Sequence, residues 1–283
     1  MLITLKENLK MAEKGNYAVG AFNVPTVESA RAALEAAEEL KAPIILAHAE
    51  VHNELMPLEF IGPILVELAK KASVPITVHL DHGSRFDLIK QAIDIGFTSV
   101  MIDASHLPFE ANVREVKKVV EYARKRNVSV EAELGVMTDS TIGSGESYED
   151  SDKDDGIYTD PEMATAFVAE TDIDALAAAF GTVHGIYLEE PMLDFDRLQQ
   201  IYRRTGKPIV MHGGSGLKEE DYTQVIKAGV RKINYYSYVA KAGAEAVKHY
   251  VNHKEHIFYH DITAVAKKAM KQNYQRAIEI FMN

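Results

Sequence analysis

VPITVHLDHG, residues 74–83, is the stretch on which the reading of this chain turns. Its first half has the make-up of a buried strand, because Val74, Ile76 and Val78 are apolar and β-branched. Its second half is ionisable, with His79, Asp81 and His82 closed by Gly83. Side chains alternate along a strand, so His79 and Asp81 point the same way and His82 falls where the strand gives way to a loop. Imidazoles and a carboxylate crowded at one strand end need a compensating partner. A bound cation or a reacting substrate is the natural one.

Outward from that stretch, short apolar runs alternate with amphipathic ones. Strands are expected at 18–22, 44–47, 76–80, 99–102, 129–133, 175–179, 209–211 and 232–234. Three of them are entered through proline, in KAPIIL (41–46), SVPITV (73–78) and GKPIVM (206–211). Helix signals lie between them. Ser84 with Asp87 reads as a capping box, Asp160 caps a helix whose first residue is Pro161, and Gly96 and Gly229 follow helices. Eight strictly alternating βα units imply a parallel sheet closed into a single-domain (β/α)8 TIM barrel over residues 1–283. The alternative, an open doubly wound sheet, lacks its glycine fingerprint after the first strand.

Composition narrows the function. Hydrophobic residues make up 47% and charged residues 26% of the 283 positions, an ordinary globular balance. The absence of cysteine excludes disulfides, thiolate nucleophiles and cysteine-ligated zinc. A formal charge of −11 argues against nucleic-acid or anionic-membrane partners, and any anionic substrate then needs a local positive centre. No apolar run has membrane-spanning length and the N-terminus lacks a signal-peptide core, so the expected location is cytoplasmic.

Polar residues gather at the ends of the expected strands: Asn23, the 79–82 group, Asp103, Glu133, His184, His212 and Asn234. In a barrel these ends share one face, the face that carries chemistry. His82, His184 and His212 each precede glycine and fit a three-histidine zinc site; the other reading is buried, hydrogen-bonded histidines. HGGSG (212–216) follows strand seven, where Gly213, Gly214, Ser215 and Gly216 suit a phosphate-binding nest or a flexible turn. Asn234 and Ser237 follow strand eight, at the same rim. The acidic, Gly- and Ser-rich stretch 138–156 interrupts the alternation after strand five and reads as an active-site lid or a solvated loop. A C-terminal amphipathic helix is expected over 262–282.

Taken together, AFN (21–23), HLDHG (79–83), AIDIGFTSVMIDASHLPFE (92–110), VSVEAELG (128–135), GTVHGIY (181–187) and HGGSG (212–216) resemble the class II, metal-dependent ketose-bisphosphate aldolases, which act on fructose or tagatose 1,6-bisphosphate. The resemblance covers nearly the whole chain. It implies one catalytic Zn2+ on His82, His184 and His212, with Asp81 protonating the aldehyde oxygen during carbon–carbon bond formation. Glu133 and Asp103 match positions that hold the metal in an alternative, resting location. Gly185, Gly213 and Ser215 match phosphate contacts, and Asn234 matches a contact to the dihydroxyacetone phosphate moiety. The resemblance also implies a phosphorylated ketose as substrate, dihydroxyacetone phosphate and an aldehyde as products, a monovalent cation (Na+ or K+) near the phosphate, and a homodimer or homotetramer. The chemistry agrees, since removing a proton beside a ketone creates an enediolate whose charge a divalent metal spreads. Carboxylates sharing the rim are expected to raise the pKa of Asp81.

Departures from the family cluster around the substrate. The 138–156 stretch lacks the usual Gly-Gly-Glu run, leaving Glu146 and Glu149 as candidates for the proton-abstracting base. Leu188 follows Tyr187 where relatives carry lysine, Tyr236 replaces a phosphate-side polar residue, and AHAE (47–50) lacks a serine often seen after strand two. These changes leave room for a different sugar or sugar-acid phosphate. A metal-dependent isomerase or epimerase, and a non-catalytic sugar-phosphate-binding subunit, are the competing readings.

Overall fold

The computed structural model describes residues 1–135, 158–187 and 190–283, so the 138–156 stretch, with Glu146 and Glu149, and Leu188 lie outside the described residues. Eight parallel strands form a closed barrel in chain order: β1 (Val19–Asn23), β2 (Ile44–Ala49), β3 (Ile76–Gly83), β4 (Ser99–Ile102), β5 (Ser129–Leu134), β6 (Ala175–Ala178), β7 (Ile209–Met211) and β8 (Val230–Asn234). Closure is made by β8 against β1, with Gly20 opposite Ile233. The expected (β/α)8 barrel is the observed fold. Strand boundaries differ mainly at β2 and β3, which run further toward the rim, and at β8, which starts directly after Gly229.

Around the barrel lie α1 (Leu5–Gly15), α2 (Val27–Leu40), α3 (Leu58–Lys71), α4 (Phe86–Ile95), α5 (Phe109–Arg124), α6 (Pro161–Thr171), α7 (Phe195–Thr205), α8 (Glu219–Ala228), α9 (Ser237–His253) and α10 (Tyr259–Met282). The sequence signals for their ends hold in most places. Asp160 accepts the N–H groups of Glu162 and Met163 ahead of Pro161, and Gly96 and Gly229 end α4 and α8 in left-handed conformations. The Ser84–Asp87 capping box does not form. Arg85 caps α4 without a side-chain bond, because Glu50, in a 3₁₀ turn over Glu50–Asn53, takes the N–H groups of Ser84 and Arg85 at 2.6 and 3.3 Å instead. A full carboxylate is the better acceptor for those orphan donors. The C-terminal helix, α10, starts at Tyr259 and buries Tyr274 and Phe281 against Phe22 and Tyr235. No helix among the described residues is long and apolar enough to cross a membrane.

Two apolar layers hold the fold. The larger lies between strands and helices and contains Ile44, Val78, Leu80, Val100 and Leu176 against Ala33, Leu65, Ile89, Val116 and Phe167. The smaller fills the barrel, where α1 inserts Leu5, Leu9 and Ala12 beside Val19, Ile45, Met101 and Val210. Asn8 pins that plug to strand starts by donating to the Ile44 carbonyl and the Thr77 hydroxyl. Burial of an apolar side chain of this size contributes about 1.5–3 kcal/mol. The N-terminal end of the barrel is therefore closed and apolar, and the C-terminal rim is left for polar groups.

Candidate active site

The rim is assembled by two glycine-dependent distortions. Pairing of β3 with β4 shifts between Leu80 and Gly83, and His82 within the shift has a φ of 47°. A left-handed conformation costs a β-carbon residue roughly 1–2 kcal/mol, so the surrounding structure must hold it there. Gly83 permits it, since a Cβ at that position would lie 2.6 Å from the Met101 carbonyl oxygen. After β7, Gly213 has a φ of 63° and a Cβ there would meet the Val183 carbonyl oxygen at 2.3 Å. That close approach brings His212 beside His184.

The three histidines meet. Ring centroids are 4.5 Å apart for His82 and His212, 5.0 Å for His82 and His184, and 5.7 Å for His184 and His212. Each offers a nitrogen, and those atoms lie within 4.8 Å of one another. Carboxylates orient two of the rings. Nδ1 of His82 is 3.0 Å from Asp103, and Nε2 of His212 is 3.0 Å from Glu131. With those nitrogens carrying the protons, Nε2 of His82 and Nδ1 of His212 face each other at 2.8 Å with lone pairs only. Two facing lone pairs need a cation between them. Tetrahedral ligands at about 2.0–2.1 Å from a metal sit about 3.4 Å apart, a spacing that small ring shifts reach, and the N/O donor set suits a borderline divalent ion. The residues present therefore fit a metal.

Asp103 and Glu133 form a second group with His82 whose donor atoms also lie within 4.8 Å of one another. Glu133 is buried, its carboxylate 3.7 Å from Nδ1 of His212.

Asp81 is buried beside this centre and accepts hydrogen bonds from the amides of Asn23 at 2.8 Å and Asn234 at 3.0 Å. The expectation of a raised pKa is wrong in direction. Burial pushes Asp81 up, but His82, Lys232, His212 and His79 outweigh it and hold the carboxyl well below its usual range. Its neighbours are imidazoles, the Lys232 ammonium and amide groups, not the carboxylates expected.

Beneath the rim lies a buried charge network that the sequence reading passed over, His79 excepted. Lys232 is fully buried, its Nζ 2.8 Å from Oε2 and 3.0 Å from Oε1 of Glu131. His79 donates to or accepts from Ser99 at 2.8 Å, and its Nε2 is 3.7 Å from Glu131. Burial favours a neutral Glu131, yet the Lys232 ammonium and the imidazoles keep it ionised. The period of two along a strand was the available signal. Glu131 precedes Glu133 by two residues and Lys232 precedes Asn234 by two, so each pair shares a face.

A cavity opens above, lined by Asn23, Asp81, His82, His184 and Asn234. Gly185, Gly213, Ser215 and Ser237 line one end, where Ser237 begins α9 and Ser215 accepts the N–H of Tyr236 at 3.0 Å. Gly214 is not among the lining residues. Its N–H donates to Asn234 and its carbonyl accepts from Tyr222, which ties the loop to β8. Ala49, Val51, His52 and Tyr236 also line the cavity. Of these the sequence reading picked out only Tyr236 and the 47–50 stretch; His52 stands outside any strand pattern, on the 3₁₀ turn.

Comparisons with known proteins agree with this geometry. The family model described as fructose-bisphosphate aldolase class-II matches residues 3–283. The fructose-bisphosphate aldolase of Staphylococcus aureus is 41% identical over 286 residues, covering 99% of this chain and 97% of the relative. A protein from Halalkalibacterium halodurans named 6-phospho-5-dehydro-2-deoxy-D-gluconate aldolase is 41% identical over 289 residues, covering 99% and 96%. Among solved structures, the YdjI aldolase from Escherichia coli K12 superposes with a TM-score of 0.87 at 31% identity, covering 99% of this chain and 97% of its own. With a barrel rim of this make-up and relatives of this likeness along its whole length, the chain belongs to the class II fructose-bisphosphate aldolase family and is a carbon–carbon lyase.

Proposed function

We propose that this enzyme reversibly cleaves a phosphorylated ketose to dihydroxyacetone phosphate and an aldehyde, and that it does so with one Zn2+ held by His82, His184 and His212. The observation that carries this reading is the 2.8 Å approach of two ring nitrogens, one from His82 and one from His212, each turned away from its ring's carboxylate partner, with His184 beside them. When bound, the metal supplies a Lewis acid that draws off the negative charge developing on the ketone half. No lysine Schiff base is then required.

The chain's own residues divide the remaining work. Asp81, ionised in the resting site, takes the hydroxyl proton as the carbon–carbon bond breaks and returns it to the aldehyde oxygen in the reverse direction. Asn23 and Asn234 hold that carboxylate in place by their amide bonds, and Asn234 also reaches the dihydroxyacetone phosphate moiety. Asp103 and Glu133, with His82, form the resting position of the metal. Gly185, Gly213 and Ser215, on the loops after β6 and β7, and Ser237, at the start of α9, receive the phosphate through N–H and hydroxyl groups. Gly214 contributes to that loop through its bonds to Asn234 and Tyr222. A Na+ or K+ ion beside the phosphate and a homodimeric or homotetrameric assembly complete the reading. An assay of fructose 1,6-bisphosphate, tagatose 1,6-bisphosphate and singly phosphorylated ketoses, with added Zn2+ and with EDTA, tests it. Triose formation that EDTA abolishes and Zn2+ restores is expected; turnover that survives EDTA would overturn the metal's part.

A further inference from the structure

The two ends of the cavity differ in chemistry. One offers backbone N–H groups and hydroxyls at a helix start, a setting that suits an anion. The other is walled by Ala49 at the end of β2 and by Val51 and His52 on the turn that follows it, with Tyr236 beside them. Among the described residues lining the cavity there is no lysine or arginine. Arg85, at the start of α4, directs its Nε to Glu50 at 2.7 Å and is 64% exposed.

His52 is the polar group at this second end. It is 8% exposed, its ring lies 4.9 Å from that of Tyr236, and its Nδ1 has no hydrogen-bond partner among the described residues. His48 lies behind it, ring centroids 6.4 Å apart, fully buried and with neither ring nitrogen partnered among the described residues. Buried polar atoms are almost always satisfied, so an unsatisfied imidazole lining a substrate cavity, with a second one behind it, points to a ligand that satisfies it. A neutral imidazole presents one donor and one acceptor, the complement of a hydroxyl. A phosphate dianion calls for cations or aligned N–H donors.

We propose that His52 is the specificity residue for the aldehyde half of the reaction, and that this half is an uncharged hydroxyaldehyde hydrogen-bonded to the His52 imidazole. The phosphate of the ketose then sits on the ketone half alone. Burial pushes the His52 imidazole toward its neutral form, against a smaller opposing pull from Asp81. In the synthetic direction a hydroxymethyl carbon of dihydroxyacetone phosphate gives up one C–H proton to a base, and the electron pair left behind forms the bond to the aldehyde carbon. The carbonyl π pair moves to the aldehyde oxygen, that oxygen takes one proton, and no other reactant is consumed. This inference rests on the aldolase reading above and narrows its substrate.

The test uses full-length enzyme loaded with Zn2+ and dihydroxyacetone phosphate. Condensation is measured with D-glyceraldehyde, D-glyceraldehyde 3-phosphate and propionaldehyde, and exchange of the dihydroxyacetone phosphate protons with D2O is followed by NMR. D-glyceraldehyde is expected to exceed its 3-phosphate in kcat/KM by roughly tenfold or more. His52→Ala is expected to lower kcat/KM for D-glyceraldehyde about tenfold and for propionaldehyde by less than about threefold, with His52→Gln recovering part of the difference. A preference for the phosphorylated aldehyde in the unaltered enzyme overturns the inference, whether or not the variants fold. So does an equal loss on both uncharged aldehydes in a His52→Ala protein of unchanged Tm. Proton exchange accompanied by a preference for the phosphorylated aldehyde would leave the aldolase reading standing and remove only the inference. Absence of both exchange and condensation would remove the two together.

Discussion

The Glu131 carboxylate lies 3.0 Å from Nε2 of His212, on the side of the ring turned away from His82. That bond selects the tautomer whose lone pair faces the other histidines. Second carboxylate partners of this kind typically tune metal affinity 10- to 100-fold. Glu131→Gln should therefore weaken Zn2+ binding by roughly that factor, measured by competition with a chromogenic chelator, and Glu131→Asp should recover part of the loss. Unchanged affinity in Glu131→Gln would remove its orienting role.

Lys232 and Glu131 form a pair with both side chains wholly buried. Removing one partner of such a pair strands a charge and costs about 3–5 kcal/mol. Lys232→Met is expected to lose stability on that scale in urea unfolding, and the double variant Lys232→Met with Glu131→Leu to regain most of it. A single variant as stable as the parent would show that the interior tolerates an unpaired carboxylate.

His48 gives a pH dependence whose sign follows from burial. Desolvation, with a smaller contribution from His52, pushes its imidazole from 6.5 down to about 4. The folded state therefore binds its proton less readily than the unfolded chain does. Its contribution is complete above pH 6.5 and falls away as pH drops toward 4, by about 3 kcal/mol across that window. Between pH 6.5 and 4 the unfolding free energy of the parent should fall more steeply with decreasing pH than that of His48→Phe, and the two curves should run parallel above pH 7. Identical pH slopes between 4 and 6.5 would show that His48 does not titrate on unfolding.

Asp81→Ala separates proton transfer from metal binding. Loss of a positioned acid or base usually lowers turnover about 10²- to 10⁴-fold, and the rings of His82 and His212 are oriented by Asp103 and Glu131 and not by Asp81. The variant should bind Zn2+ at the parent's stoichiometry by metal analysis while cleaving ketose phosphate at that reduced rate. Full activity would take the proton-transfer role from Asp81.

The sequence carried the barrel because each strand announces itself through short β-branched runs, and the proline and glycine joints mark where those runs begin and end. It carried His82, His184 and His212 because each sits before a glycine at a strand end, where the backbone turns sharply. Glu131 and Lys232 were hidden, since a charged residue within an apolar strand signals its buried partner only once the register of a distant strand is known. The direction of the Asp81 shift was hidden for the same reason, for it depends on Lys232 across the barrel. His52 belongs to no period at all, and its place at the cavity follows from how the turn after β2 folds toward Tyr236.

The most direct measurement is anomalous diffraction at the zinc edge from crystals of the Zn2+-loaded enzyme. The account predicts one strong peak at ordinary zinc–nitrogen distance, about 2.0–2.1 Å, from ring nitrogens of His82, His184 and His212. Zinc bound at full occupancy elsewhere, with those three rings unligated in both resting and substrate-bound crystals, would contradict it.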